Sequence, residues 1–163
     1  MSQTTAPRRE MVVGQAGQMA EPFGPEDVRS VVNPSGKLFF GRMAVVGASE
    51  GVAAHPSAAS QRPLGVVMHS HAIVSKEDGL DAGYGAKETA NVLRKGYVWV
   101  VIEETVAIGD AVYFRHTASG GNTKLGAFRN DADTATADQL TNARWVRGGT
   151  AAEGIALLEL DVL

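Results

Sequence analysis

The chain has 163 residues, 44% of them hydrophobic and 20% charged, no cysteine and a formal net charge of −3. At about 150 residues a chain hides roughly 68–70% of its unfolded surface, so one domain with a real core is expected without staples, and disulfides and thiolate metal sites are excluded. The acidic balance excludes the basic stripe that a nucleic-acid groove needs, and no run approaches the roughly 18 apolar residues of a spanning helix.

Residues 1–35 carry Pro7, Pro22, Pro25 and Pro34 and sustain no period of 3.6 or 2. No apolar h-region follows Arg8 and Arg9, so no secretion signal is expected. Residues 1–10 read as a frayed terminus or the start of an arm. Met11, Val12, Val13, Met19, Phe23, Val28, Val31 and Val32 are too many apolar groups to leave in water, so 11–32 reads as an ordered, extended arm lying against another surface. The expected domain boundaries are therefore 1–35 for the arm and 36–163 for a single all-β body. On that division, deletion of residues 2–32 leaves the body folded.

Leu38–Val46 is the first clear strand, followed by an Ala, Ser and Gly loop closed by Pro56 and Pro63. Leu64–Val74 is the next strand. Residues 75–91 are polar, contain Gly79, Gly83 and Gly85, and read as a long loop. Tyr97–Ile102 is continuously apolar, aromatic and β-branched, which predicts a strand covered on both faces in the middle of the core. Glu103 and Glu104 read as a solvated corner before the Gly109-Asp110 turn. A second strand, Ala111–His116, then places Val112 and Phe114 on one face and Tyr113 and Arg115 on the other. Lys124–Phe128 reads as a short strand and 130–142 as a helical turn or loop. Ala143–Arg147 and Ile155–Val162 complete the set, the last with Leu158, Leu160 and Val162 alternating against Leu157, Glu159 and Asp161. Seven or eight short strands with Gly-rich turns and no long amphipathic helix predict a β-sandwich, jelly roll or small barrel.

The search for chemistry finds little. His69 and His71 are two apart on a predicted strand, so both rings point one way, as in a cupin-type metal site. That motif fits poorly, because Gly65 precedes His69 by too few residues, Glu77 follows His71 by one too many, and His116 lacks the second half-motif. Neither Gly-x-Ser-x-Gly nor a phosphate loop is present, and adjacent Glu103 and Glu104 point to opposite faces of an extended chain. Val98–Val112 has the flavour of a biotinyl or lipoyl carrier but lacks the exposed lysine such a domain uses. Trp99 and Trp145 read as core or interface residues. Arg144 and Arg147 bracket Trp145 and, with Arg42 and Arg129, put positive charge on an acidic protein, either at solvated strand edges or against acidic groups of a partner.

The segments GQAGQMAEPFGPEDVRSVVN, LFFGRMAVV, RPLGVVMHSHAIV, LRKGYVWVVIEETVAIGDAVYFRHT, GNTKLGAFR and ARWVRGGTAAEGIALLELDVL, in that order, resemble the cement or decoration proteins of tailed-bacteriophage capsids. The resemblance covers most of the chain. It implies an all-β protein made in the bacterial host cytoplasm and bound as a homo-dimer or homo-trimer on the outer surface of an icosahedral head. There it would bridge neighbouring copies of the major capsid protein, with no enzymatic activity, no cofactor, no bound metal, and neither nucleic acid nor membrane as partner. The expected partner contacts are Arg8, Arg9, Met11, Met19 and Phe23 from the arm, and Arg42, Arg144, Trp145 and Arg147 from the body. The alternative is a cupin-like metal-dependent enzyme using the His69/His71 pair.

Overall fold

A computed structural model describes residues 14–20, 27–70 and 79–162. Within them lie twelve strands: β1 (Asp27–Val32), β2 (Leu38–Phe39), β3 (Met43–Val46), β4 (Ala53–Ala54), β5 (Pro63–Val67), β6 (Gly83–Tyr84), β7 (Thr89–Val101), β8 (Tyr113–Arg115), β9 (Phe128–Arg129), β10 (Ala137–Gln139), β11 (Ala143–Arg147) and β12 (Ile155–Asp161). The one helical piece among the described residues is a 3-10 turn, Gly79–Asp81. The all-β expectation holds, and every pairing between these strands is antiparallel.

The 13-residue β7 is the axis, as its apolar run predicted, although it starts well before Tyr97. It belongs to a seven-stranded sheet in the order β11-β12-β7-β5-β3-β4, with β1 also on β7. One edge of β7 takes β12 along 95–101 and, next to it, β1 along 89–95. The other edge takes β5 at Val92 and Leu93. In line with β5, residues 17–20 extend that second ladder: the Gly17 amide donates to the Trp99 carbonyl at 2.7 Å, Trp99 donates to Gln18 at 2.9 Å, and Ala20 donates to Tyr97 at 3.0 Å.

The body therefore begins before residue 36. Residues 17–20 on one edge of β7 and 27–32 on the other pair backbone that would otherwise present free N–H and C=O groups. Deletion of 2–32 would take pairing from both edges of β7, so the strand pairing places no seam at residue 36, and the fold of the remainder is for its melt to decide. Arm and edge strand share one sequence signature, and only long-range pairing tells them apart.

Both faces of the large sheet are covered. Val98, Val100, Leu158 and Leu160 pack with Phe114, Phe128 and Leu140 from the small β10-β8-β9 sheet and its flanks, so two sheets share one core. On the opposite face Val92, Trp99, Val101 and Leu157 pack with Leu38, Phe40 and Tyr84 from the two-stranded β2-β6 piece, and with Ala16 of the N-terminal segment. Burying such a side chain is worth about 1.5–3 kcal/mol each; Ile155–Leu158 are buried on both faces of β12, and only Glu159 and Asp161 break the run toward solvent.

Several boundaries differ from expectation. The predicted Leu38–Val46 strand is broken at Phe40-Gly41, where Gly41 has φ +70°. Its amide donates to Val67 and its carbonyl accepts from Val101, and a Cβ there would sit 2.8 Å from the Gly17 nitrogen. Only glycine fits both the conformation and the gap. The predicted Leu64–Val74 strand ends at Val67, and residues 71–78 lie outside the described region. The expected 75–91 loop is cut by β6 and by the start of β7. Residues 130–142 contain β10, not a helical turn.

Candidate assembly interface

The unforeseen feature is a buried charge network where β7 leaves the core. Arg115 of β8 has 0% of its surface exposed. Its Nε donates to both oxygens of Glu103, at 2.6 and 2.8 Å. One terminal nitrogen donates to Thr117 O and Thr136 Oγ1, and the other to Asp133 at 2.7 Å. Arg129 of β9 shares the same Glu103 carboxylate at 3.1 Å and reaches Asp131 at 2.6 Å. Glu103 is itself buried, so the predicted solvated corner is wrong for this residue. A strand-end carboxylate looks solvated in sequence, but here it is the counter-ion that lets two guanidiniums stay inside.

Desolvation opposes the charge of Arg115, but the hydrogen bonds it donates to Glu103 and Asp133 outweigh it and hold its pKa above the ordinary arginine value. The hydrogen bond from Arg115 holds the Asp133 carboxyl below the usual range, and the bond from Arg129 does the same for Asp131. Glu103 is held by donors on both oxygens and meets Glu104 nowhere as a catalytic pair; Glu104 instead accepts from the Asn130 amide. The network cross-links β7, β8, β9 and the 131–136 loop and offers no free acid or base.

His55 is a second residue the sequence did not flag. Its Nε2 accepts from the Phe39 amide at 2.8 Å, so the proton sits on Nδ1, which donates to Met43 O at 2.8 Å. Burial pushes its pKa down to about 4. Nothing in its Ala-rich loop sequence signals this role.

The expected contact residues divide three ways. Arg8, Arg9, Met11 and Phe23 lie outside the described residues. Met19 pairs with Val98 and packs on the core of its own chain. Trp145 is 3% exposed, stacks edge-on against Phe128 and donates from Nε1 to Ala111 O, so the core alternative holds and its ring is not at the surface. Arg42 is also buried, over the Phe39 ring, with one nitrogen on Asp81 at 2.6 Å. It braces the 3-10 turn from within and does not present charge outward. Arg144 and Arg147 stand on β11, the former exposed and paired with Glu159, the latter over the Trp99 ring. Near them Val146 is partly exposed, and Ile108, in the turn after Glu104, is 71% exposed.

Among the described residues the histidines assemble no metal site. His71 and Glu77 lie outside the described residues, His69 packs against Phe40, and His116 bonds to Thr117. No cluster of three metal-ligating residues occurs among the described residues. No described helix is long and apolar enough to cross a membrane.

The large sheet is covered on both faces, and its buried arginines are paired with carboxylates. The family model for structural cement proteins (E217 gp24/Pam3 gp6) matches residues 2–161. The chain belongs to the phage structural cement proteins. Its role is structural: a capsid cement or decoration protein. A chain in the solved capsid of Myoviridae phage XM1 shares the fold, with a TM-score of 0.69 at 18% identity over 99% of this chain and 98% of that one. No curated protein matches the sequence. As a cement protein the chain is a component of the virion capsid.

Proposed function

We propose that this cement protein sits on the outer surface of the phage head and clamps neighbouring copies of the major capsid protein together, as a homo-dimer or homo-trimer without enzymatic activity. The observation that carries this reading is the way the N-terminal segment is used. Residues 17–20 are stitched onto one edge of β7 and 27–32 onto the other, with Gly14 beside the Trp99 ring. Arg8, Arg9 and Met11 lie in the thirteen residues before Gly14, ahead of this strand-paired segment. We assign to those residues the contact with a neighbouring subunit, with the load passing into a continuous sheet. Many such weak contacts on one lattice act together, as multivalent binding requires.

The test uses expanded shells of the cognate major capsid protein prepared without cement. Purified full-length protein should co-sediment with them to saturation and raise their melting temperature, and removal of residues 2–13 should weaken that binding while leaving the monomer melt unchanged. Full-length protein that leaves the shells bare, or shells whose melting does not rise at saturation, would reject the clamp.

A further inference from the structure

The described arginines are not used alike. Arg42, Arg94, Arg115, Arg129 and Arg144 each pair with a carboxylate, and Arg147 covers the Trp99 ring. Arg29 and Arg62 have no side-chain ion pair, hydrogen bond or ring contact among the described residues. Both line the same groove, of about 370 Å³, together with Arg94, Val46, Leu64 and Val162. Glu50 supplies a carboxylate there, and Arg94 is already paired with Asp27 at 3.2 Å.

On a chain with a net charge of −3, two unanswered guanidiniums over an apolar floor are a local reversal of sign. Val46 in that floor is 41% exposed, one of few large aliphatic side chains left in water. The outer edge of β1 borders the groove and, among the described residues, has no strand partner until Val32, where a parallel bridge to Val52 closes it. An open strand edge offers main-chain hydrogen bonds to an extended segment, and a planar guanidinium offers two parallel N–H donors to a carboxylate.

We infer that this groove between β1 and the 46–64 region receives an extended, acidic segment of the shell protein, its carboxylates on Arg29 and Arg62 and an apolar side chain over Val46. This rests on the cement placement above and assigns the body surface that meets the shell. Nucleic acid fits less well, since two free cations do not make the stripe that counterion release along a duplex requires.

Shells of the major capsid protein lacking cement are again the probe, now titrated with wild type, with the double variant Arg29→Glu/Arg62→Glu, and with Val46→Asp. All three positions are exposed, so the variants should melt with the wild type. The double variant is expected to bind at least about tenfold more weakly, and the wild-type affinity to fall with added salt while the variant's residual binding does not. Val46→Asp is expected to weaken binding without changing the salt slope. Wild type that fails to bind overturns the cement placement and the groove with it. Wild type that binds alongside a double variant of equal affinity overturns the groove alone. A fluorescent 20-base-pair duplex that binds wild type, is lost in the double variant and displaces no shell would make the groove a phosphate site and equally overturn the inference.

Discussion

The same side chain does opposite work at two ends of this molecule. Arg115 and Arg129 are buried around one shared carboxylate, whereas Arg29 and Arg62 stand in an open groove, paired with no carboxylate among the described residues. The inner pair stays inside because the fold brings the Glu103, Asp131 and Asp133 carboxylates to it. The outer pair shows charge left unspent, which a monomer's stability does not require. One arrangement holds the protein together, and the other is available to something else.

The largest effect should come from breaking the inner arrangement. Glu103→Ala leaves two buried guanidiniums without their common counter-ion and is expected to cost about 3–5 kcal/mol, read as a fall in the urea midpoint. An unchanged midpoint would mean the network is looser than its geometry. Next, Leu158→Ala removes a fully buried side chain where the two sheets meet and should cost about 2–5 kcal/mol by the same assay. It tests whether packing and buried charge rank equally in the body.

Acid should separate the two regions. The folded pKa of His55 lies below its unfolded value, so the unfolded chain binds the extra proton first; stability is full above pH 6.5 and is lost as pH falls toward 4. Integrated over that window the loss is roughly 3 kcal/mol, and His55→Gln should flatten that part of the stability profile. Asp131 and Asp133, held below their unfolded values, add stability that is present above the unfolded carboxylate range and disappears at still lower pH. Asp133→Asn should blunt that lower limb alone. Smallest of all, Arg29→Ala with Arg62→Ala should move the melt within about ±0.5 kcal/mol of wild type, since neither side chain has a partner to lose. A larger shift would make the groove part of the body's own framework.

Much of the fold is legible before any tertiary contact is known. Tyr97–Ile102 had to be a central strand because six consecutive apolar, largely β-branched or aromatic residues leave neither face for water, and Leu158 and Leu160 had to face a core by their period of two. The corrections arise where one local pattern has two tertiary uses. Val28, Val31 and Met19 suit either a wandering arm or an edge strand, and hydrogen bonds to a strand some sixty to eighty residues later decide it. Trp145 between two arginines suits either an interface or a core, and its contact with Phe128 chooses the core.

By itself, then, the sequence determined the all-β class, the central strand and the alternation of its last strand, because burial acts on neighbours two residues apart and is written locally. Its resemblance to the cement proteins was carried by the order of such segments. Which charges are buried and which are free was decided only in three dimensions. Glu103, Arg115 and Arg129 are 12 and 26 residues apart, and an ion pair depends on distance through space, which no periodicity along the chain encodes.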